Sequence, residues 1–248
     1  MRCSVIIPLH NEEATVRSAL PSFLDSLPAE VSGTLAEVLL VENGSTDGTR
    51  EEAERLANRY PGLVRVSSIA RPSYGSAIRH GIEQSAGSHL TILECDALSL
   101  SFLGESIRIF REQRASVIVG SKRHPRSLDR RPAARRLMTR GFNLLLRALI
   151  GYPGSDTHGL KSFEASLARH LCSLAVCSDE VFQTELVLLA WRLGHPVVEL
   201  PVELEEIRPT PVRIMRRAPK VAPILWELRR SLSRFPPRAG RDTGVVSI

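Results

Sequence analysis

Residues 4–13, SVIIPLHNEE, and residues 38–49, VLLVENGSTDGT, decide how this chain folds. Each opens on a short aliphatic, β-branched run and breaks abruptly into polar, turn-forming residues. A run of that length reads as a strand covered on both faces. Cys3 to Pro8 and Glu37 to Glu42 are therefore taken as strands. Around them the spacing turns helical. Ala14, Val16, Ala19, Leu20 and Phe23 mark a helix over about 11–24, and Ser45 and Asp47 cap another over about 46–60. Further strands are expected at Val64 to Ile69, Leu90 to Glu94 and Ser116 to Gly120, with helices over 74–85 and 100–113 between them. The order βαβαβαβαβ predicts an α/β fold, a doubly wound and mostly parallel sheet with helices on both faces.

Beyond Gly120 the texture changes. Residues 122–140 gather Lys122, Arg123, Arg126, Arg130, Arg131, Arg135, Arg136 and Arg140 around one acid, Asp129. An apolar helix is expected over 142–150, then a polar segment Asp156-Thr157-His158-Gly159-Leu160-Lys161, a helix over about 179–193 and a strand from Val197 to Val202. From Arg208 the chain is basic and rich in proline, which suggests a main domain over 1–207 and a C-terminal amphipathic tail over 208–248. In that tail a helix is expected over about 222–233, with Leu225, Leu228 and Leu232 as an apolar stripe between arginines. Such a stripe suits the headgroup region of an anionic membrane.

Composition narrows the classes. With 248 residues, 43% hydrophobic and 24% charged, the chain is neither disordered nor fibrous. Its four cysteines form no CxxC pair and carry no histidine at ligand spacing, which argues against structural zinc and for a reducing compartment. No apolar run approaches the ~20 residues needed to span a bilayer, and Val5 to Leu9 is too short for a signal-peptide core. A cytoplasmic location follows as the expectation. A net charge of +6 is basic enough to hold anionic partners, but with 5% aromatic residues and no reading module, nucleic acid is not expected among them.

Open α/β sheets bind ligands at the carboxyl ends of their strands. Three polar clusters stand there: Pro8-Leu9-His10-Asn11-Glu12 after the first strand, Glu42-Asn43-Gly44-Ser45 after the second and Glu94-Cys95-Asp96 after the fourth. Glu42 and Asn43 have the hydrogen-bonding groups to read a base edge, and Gly44 permits a tight turn. Glu94 and Asp96, one residue apart, offer hard oxygen ligands to a divalent cation such as Mg²⁺ or Mn²⁺. Turn and cap chemistry alone would also account for Asn43 to Asp47, and a solvated strand end for the acidic pair.

These motifs, with YGSAIRHGIEQSAG (74–87), GSK (120–122), RRLMTRGFN (135–143), DTHGLKSF (156–163) and LGHPVVELPVEL (193–204), resemble glycosyltransferase family 2 over residues 3–204. The similarity is greatest to its dolichyl or polyprenyl phosphate sugar synthase branch. The resemblance implies the GT-A fold and a metal-dependent, inverting transfer from a nucleotide diphosphate sugar, with UDP or GDP as carrier. It implies base and ribose binding by Pro8, His10, Glu12, Glu42, Asn43 and Gly44, and a cover over the nucleotide sugar that includes Gly75, with Arg71 beside the phosphates. Glu94 and Asp96 stand where the family has its Asp-x-Asp metal motif, with Glu94 in place of the first Asp and Leu98 where some relatives add a polar ligand. Asp156 lies in the segment near donor sugar and acceptor, as orienter of hydroxyls or as base, and Lys161 offsets diphosphate charge.

For the acceptor, the resemblance places Lys122, Arg123, Arg136 and Arg140 at a lipid phosphate, which implies peripheral contact with the inner face of the membrane. A hydroxyl acceptor would instead need a carboxylate base, for which Asp156, Glu180 and Glu185 are candidates. A domain that binds nucleotide sugar without turnover is the remaining alternative.

Overall fold

The computed structural model describes residues 1–130, 133–179, 181–204, 221–235 and 244–248. The first half follows the strand-helix alternation: β1 (Cys3–Leu9), α1 (Glu13–Asp25), the single turn α2 (Ala29–Ser32), β2 (Leu35–Asn43), α3 (Thr49–Arg59), β3 (Val64–Ile69), α4 (Tyr74–Gln84), β4 (His89–Ile92), α5 (Leu100–Arg111) and β5 (Val117–Ser121). After it come the two-residue β6 (Leu128–Asp129), α6 (Ala133–Ile150), β7 (Lys161–Glu164), α7 (Ala165–Leu174), α8 (Phe182–Arg192), β8 (Val197–Pro201), β9 (Glu203–Leu204), α9 (Val221–Ser233) and β10 (Val245–Ser247).

Eight strands form one sheet in the order β10-β8-β5-β7-β4-β1-β2-β3, and β6 pairs with β9 apart from it. All neighbours in the large sheet are parallel except β7, which runs antiparallel between β4 and β5. The order of winding reverses between β1 and β4, and such a reversal opens a crevice at the carboxyl ends of the strands. Because β7 is antiparallel, it is its first residue, Lys161, that lies at this same edge, opposite Ile92 of β4 and Val119 of β5.

Alternation along the central strands sorts the core. Val5, Ile7 and Leu9 of β1 with Val38 and Leu40 of β2 pack against α1, α3 and α5. Ile6, Leu39 and Val41 face α4, α7, α8 and α9 on the other side. Successive side chains of a strand point to opposite faces, so a strand apolar at every position requires both faces covered. Burying each such side chain contributes about 1.5–3 kcal/mol.

The sequence reading is corrected in three places. Helix α6 begins at Ala133, nine residues before the expected start, because Ala133-Ala134-Arg135-Arg136-Leu137-Met138 are all strong helix formers. The strand β7 and the helix α7 behind it fall where no element was expected. Lys161-Ser162-Phe163-Glu164 looks polar, yet it pairs on both sides, and Lys161, Ser162 and Phe163 are buried. Finally, the helix expected over about 222–233 is there as α9, but Leu225, Leu228 and Leu232 are buried in the main core, and β10 extends the main sheet beside β8. A stripe packed on protein is not available to lipid, and the division after residue 207 does not separate two cores. The arginines and prolines of 205–220 lie outside the described residues.

Candidate active site

Three loops meet around the ends of β1 and β2. Gly44 takes φ of +60°, the left-handed region that turns the chain sharply, and a Cβ there would stand 2.9 Å from the Pro72 ring. His10 is exposed and shares a 2.8 Å hydrogen bond between its Nδ1 and the Asn43 carbonyl. The Asn11 side chain accepts from the Thr46 N–H, and the Glu12 N–H donates to Thr49 Oγ1 at 2.7 Å. Glu42 and Asn43 are both buried. Glu42 Oε1 accepts from the Ser45 N–H at 2.5 Å, and Asn43 Oδ1 accepts from the Ser73 N–H at 2.8 Å. Each thus braces a neighbouring loop with one oxygen. Pro8 is buried within β1 and Arg71 is exposed beyond β3.

Gly75 has a packing role that its sequence context hid. A Cβ on it would meet the Ser178 carbonyl oxygen at 2.4 Å and Phe182 Cβ at 2.7 Å, so the start of α4 needs glycine to approach the α8 entry. Ser73 caps α4, accepting from the Ser76 N–H, and donates to the Ser178 carbonyl at 2.7 Å, tightening the same contact. Gly75 therefore acts on helix packing, whatever else it borders.

Beyond Ile92 the chain makes a tight turn, closed by the Ala97 N–H on the Glu94 carbonyl at 2.9 Å. Asp96 sits exposed on this turn. Glu94 is half-buried and accepts from the Tyr74 hydroxyl and from Gln183 Nε2. Burial, with the like charge of Asp96 adding to it, raises the Glu94 pKa; burial and the Glu94 carboxylate push the Tyr74 phenol well above its ordinary value.

Two lysines and one aspartate floor the crevice. Asp156 is wholly buried: Oδ1 accepts from the Thr157 and His158 N–H groups at 2.8 and 3.0 Å, and Oδ2 accepts from the Lys122 N–H and pairs with Lys122 Nζ, both at 3.2 Å. Burial alone would raise its pKa, but the Lys122 ammonium and the backbone donors outweigh it and hold the pKa below the usual value. Lys122 Nζ also donates to the His158 carbonyl at 2.5 Å. Lys161 donates to the Gly159 carbonyl at 2.8 Å, and burial together with the Lys122 charge brings its pKa down to about 7. Glu199 in β8 holds this segment from behind, accepting from the N–H groups of Ser155 and Asp156 at 2.6 and 3.3 Å.

An Asp156 so engaged organises its loop and has no lone pair to spare as a base. Glu185 fares the same, since its buried carboxylate accepts from the Val176 and Cys177 N–H groups and from the Ser231 hydroxyl. Glu180 lies outside the described residues. On the far side of the loop the His158 ring meets Phe142 of α6 edge-on at 5.0 Å, so α6 adjoins the crevice. Its Arg136 and Arg140 are exposed, as is Arg123 after β5.

For a divalent cation, the described residues gather no group of three or more His, Cys, Asp or Glu side chains. Glu94 and Asp96 nevertheless fit one partly coordinated ion, because both are oxygen donors on one turn and a bound diphosphate would complete the shell. Sequence reading did not find Tyr74 or Gln183, whose partnership with Glu94 spans 20 and 89 residues.

The sequence profile described as glycosyl transferase family 2 matches residues 4–164. The chain is 27% identical over 215 residues to glycosyltransferase AglD of Haloferax volcanii, covering 86% of this chain and 34% of that protein. It is 28% identical over 221 residues to a dolichyl-phosphate beta-glucosyltransferase of Drosophila melanogaster, covering 84% of this chain and 68% of the other. It thus spans about a third of the archaeal relative and about two thirds of the fly one. Among solved structures, glucosyl-3-phosphoglycerate synthase of Mycobacterium tuberculosis, in complex with Mn²⁺, UDP and glucosyl-3-phosphoglycerate, superposes with a TM-score of 0.69 at 20% identity, covering 96% of this chain and 82% of that one. This likeness shows the GT-A fold.

Proposed function

Because the chain belongs to glycosyltransferase family 2, we propose that it moves a hexose from a nucleotide diphosphate sugar to a polyprenyl phosphate, with inversion at the anomeric carbon. One observation favours a phosphate acceptor over a hydroxyl. Asp156 and Glu185, two carboxylates that a hydroxyl acceptor would call on as base, have their oxygens committed to the protein. A phosphate is already ionised near neutral pH and needs no base to attack. The dolichyl-phosphate beta-glucosyltransferases of the fly and of Trichomonas vaginalis support the same acceptor class by likeness.

In this reading a phosphate oxygen of the lipid attacks the anomeric carbon from the face opposite the diphosphate. The new C–O bond forms as the bond to the nucleotide breaks, and no proton moves. The turn from Glu42 to Ser45, with His10 and Glu12, borders the base and ribose, while Arg123, Arg136 and Arg140 receive the lipid phosphate, which guanidinium groups match in geometry. Mg²⁺ or Mn²⁺, held by Asp96 and Glu94, would supply Lewis-acid neutralisation of the leaving diphosphate. Solved relatives of the fold that hold UDP with Mn²⁺ or Mg²⁺ favour that ion and UDP as carrier. Lys161 and Lys122 add positive charge beneath it, and Asp156 keeps Lys122 in place.

Lys161 makes nucleotide binding pH-dependent. With its pKa near 7 in the free protein, it is largely neutral above that pH, and a diphosphate beside it favours the ammonium. Binding then takes up a proton, so affinity for UDP falls as pH rises from 7 to 9, with a slope approaching tenfold per pH unit. Calorimetry of UDP and GDP binding with Mn²⁺ checks this, and Lys161→Met flattens the profile. A wild-type profile already flat over that range removes Lys161 from the site; absence of binding by either nucleotide sinks the nucleotide-sugar reading.

Membrane contact belongs to α6 and not to the tail stripe. No helix among the described residues is long and apolar enough to cross a membrane. Yet Leu137 and Leu144 are each 68% exposed, Leu145 and Leu149 are exposed beside them, and Trp226 of the adjoining α9 is 70% exposed. At helical spacing these leucines share one face, and exposed Arg136, Arg140 and Arg147 line its edge. An apolar face rimmed by arginine fits an anionic bilayer surface. The protein is expected to sediment with vesicles containing phosphatidylglycerol, less so as salt rises, and a Leu144→Glu/Leu149→Glu variant to stay in the supernatant. Equal sedimentation of that variant would remove α6 from the contact.

A further inference from the structure

Tyr74 is the first residue of α4, and its ring packs on the core that α4, α7, α8 and α9 share. The bond from the Ser73 hydroxyl to the Ser178 carbonyl, with the close approach of Gly75 to Phe182, seats this helix start firmly against the α8 entry. Tyr74 thereby lies between two polar groups. Gln183 Nε2, in the first turn of α8, donates to its hydroxyl oxygen at 2.5 Å, and the hydroxyl donates in turn to Glu94 Oε1. Gln183 Nε2 also reaches that carboxylate oxygen, at 3.3 Å. A carboxylate oxygen has two lone pairs, so these two donors fill Oε1. Oε2 is in the opposite condition. It has no hydrogen-bond partner among the described residues, and it is not sealed from solvent.

The two oxygens of Glu94 are therefore unequal towards an ion. A divalent cation at the turn that carries Glu94 and Asp96 meets one open oxygen of Glu94, not two. Hydrogen bonds to a ligating carboxylate fix its orientation, and losing them typically costs about 10- to 100-fold in metal affinity. They also bear on which ion fits. Mg²⁺ demands a compact octahedral shell, which single oxygens supply, whereas Ca²⁺ takes a larger and looser shell and readily binds a carboxylate through both oxygens. We propose that Tyr74 is a positioning residue for the cation: by filling Oε1 it makes Glu94 a one-oxygen ligand, and so favours a small octahedral ion over Ca²⁺. This rests on the cation reading above and adds to it the residue that sets ion selectivity. The firm seat of Tyr74 matters because a mobile hydroxyl would yield Oε1 to the ion.

Mn²⁺ is the probe, because its solution resonance is lost on binding and it accepts the same octahedral oxygen shell. Its binding to the full chain with saturating UDP is followed by electron paramagnetic resonance, and Ca²⁺ is then titrated in as competitor. The proteins compared are wild type, Tyr74→Phe, Glu94→Gln and the double variant. Tyr74→Phe removes one oxygen and leaves the ring in the core. It is expected to fold as wild type does by circular dichroism, to bind Mn²⁺ roughly 10- to 100-fold more weakly, and to discriminate less against Ca²⁺. In the Glu94→Gln background the same change should have no further effect. Should Tyr74→Phe fail to fold, Gln183→Met, which frees the other lone pair of Oε1, is read in the same way. An unchanged ratio of Ca²⁺ to Mn²⁺ affinity, or an equal further loss on top of Glu94→Gln, would overturn the proposal. Mn²⁺ binding that Tyr74→Phe leaves intact refutes this inference alone, whereas a wild type that binds UDP but no Mn²⁺ refutes the cation reading beneath it.

Discussion

Asp96→Ala is expected to fold as the wild type does and to lose sugar transfer by about 10³-fold or more. The side chain is exposed on the turn after β4, so its removal opens no cavity. In the proposed reaction its loss should cost catalysis because the leaving group there is a diphosphate, whose developing charge a divalent cation would stabilise by several kcal/mol, and each 1.36 kcal/mol is about tenfold in rate. Glu94 cannot take over. It is half-buried, its pKa is raised, and one oxygen already serves Tyr74 and Gln183. The measurement is kcat/KM at saturating Mn²⁺ together with a thermal melt. A fully active Asp96→Ala protein would detach the turn from the leaving group.

Asp156→Asn is expected to have the larger effect on stability, lowering the melting temperature by roughly 10 °C. Breaking a buried ion pair from one side typically costs about 3–5 kcal/mol, since the remaining charge is left in a poor dielectric, and a domain of this size loses roughly 2–4 °C per kcal/mol. Lys122 would be that stranded charge, beside a Lys161 already brought to about 7 by burial and by Lys122. The sign of the acid dependence follows. The Asp156 pKa is lower in the folded protein than in the unfolded chain, so its stabilisation is complete above the ordinary carboxylate pKa and disappears as pH falls towards the folded value. Wild type should therefore lose stability more steeply than Asp156→Asn below about pH 4. A variant as stable as wild type at pH 7 would show that the loop is held by Glu199 alone.

How much was legible depended on the range of the signal. The alternation in Val5-Ile6-Ile7 and Val38-Leu39-Leu40-Val41 is local, and it led to the sheet and its two covered faces. The same locality placed Glu94 and Asp96 after the fourth strand, though as an extended pair, whereas β4 ends at Ile92 and the two stand on a turn. What escaped depends on partners distant in sequence. Lys161-Ser162-Phe163-Glu164 is a strand only because β4 and β5 flank it, and a buried lysine at its first position disguises it. The packing role of Gly75 was invisible because Ser178 and Phe182, which lie against it, are more than a hundred residues on. The stripe of Leu225, Leu228 and Leu232 was read correctly as apolar, but periodicity cannot say whether a face meets lipid or protein, and here it meets the core. Asp156 shows the same limit in a site: its identity suggested a base, whereas four partners commit its oxygens to the fold.

The most direct measurement is transfer itself. The protein is incubated with Mn²⁺, radiolabelled UDP-glucose or GDP-mannose, and phosphatidylglycerol vesicles that do or do not contain polyprenyl phosphate, and label is followed into the organic phase. The expected result is lipid-phase label only with polyprenyl phosphate present, released by mild acid as the free sugar, as a glycosyl phosphate should be, and absent with the corresponding polyprenol. Label that appears in the lipid phase equally with the polyprenol, or only in water-soluble products whatever the vesicles contain, would contradict a phosphate acceptor.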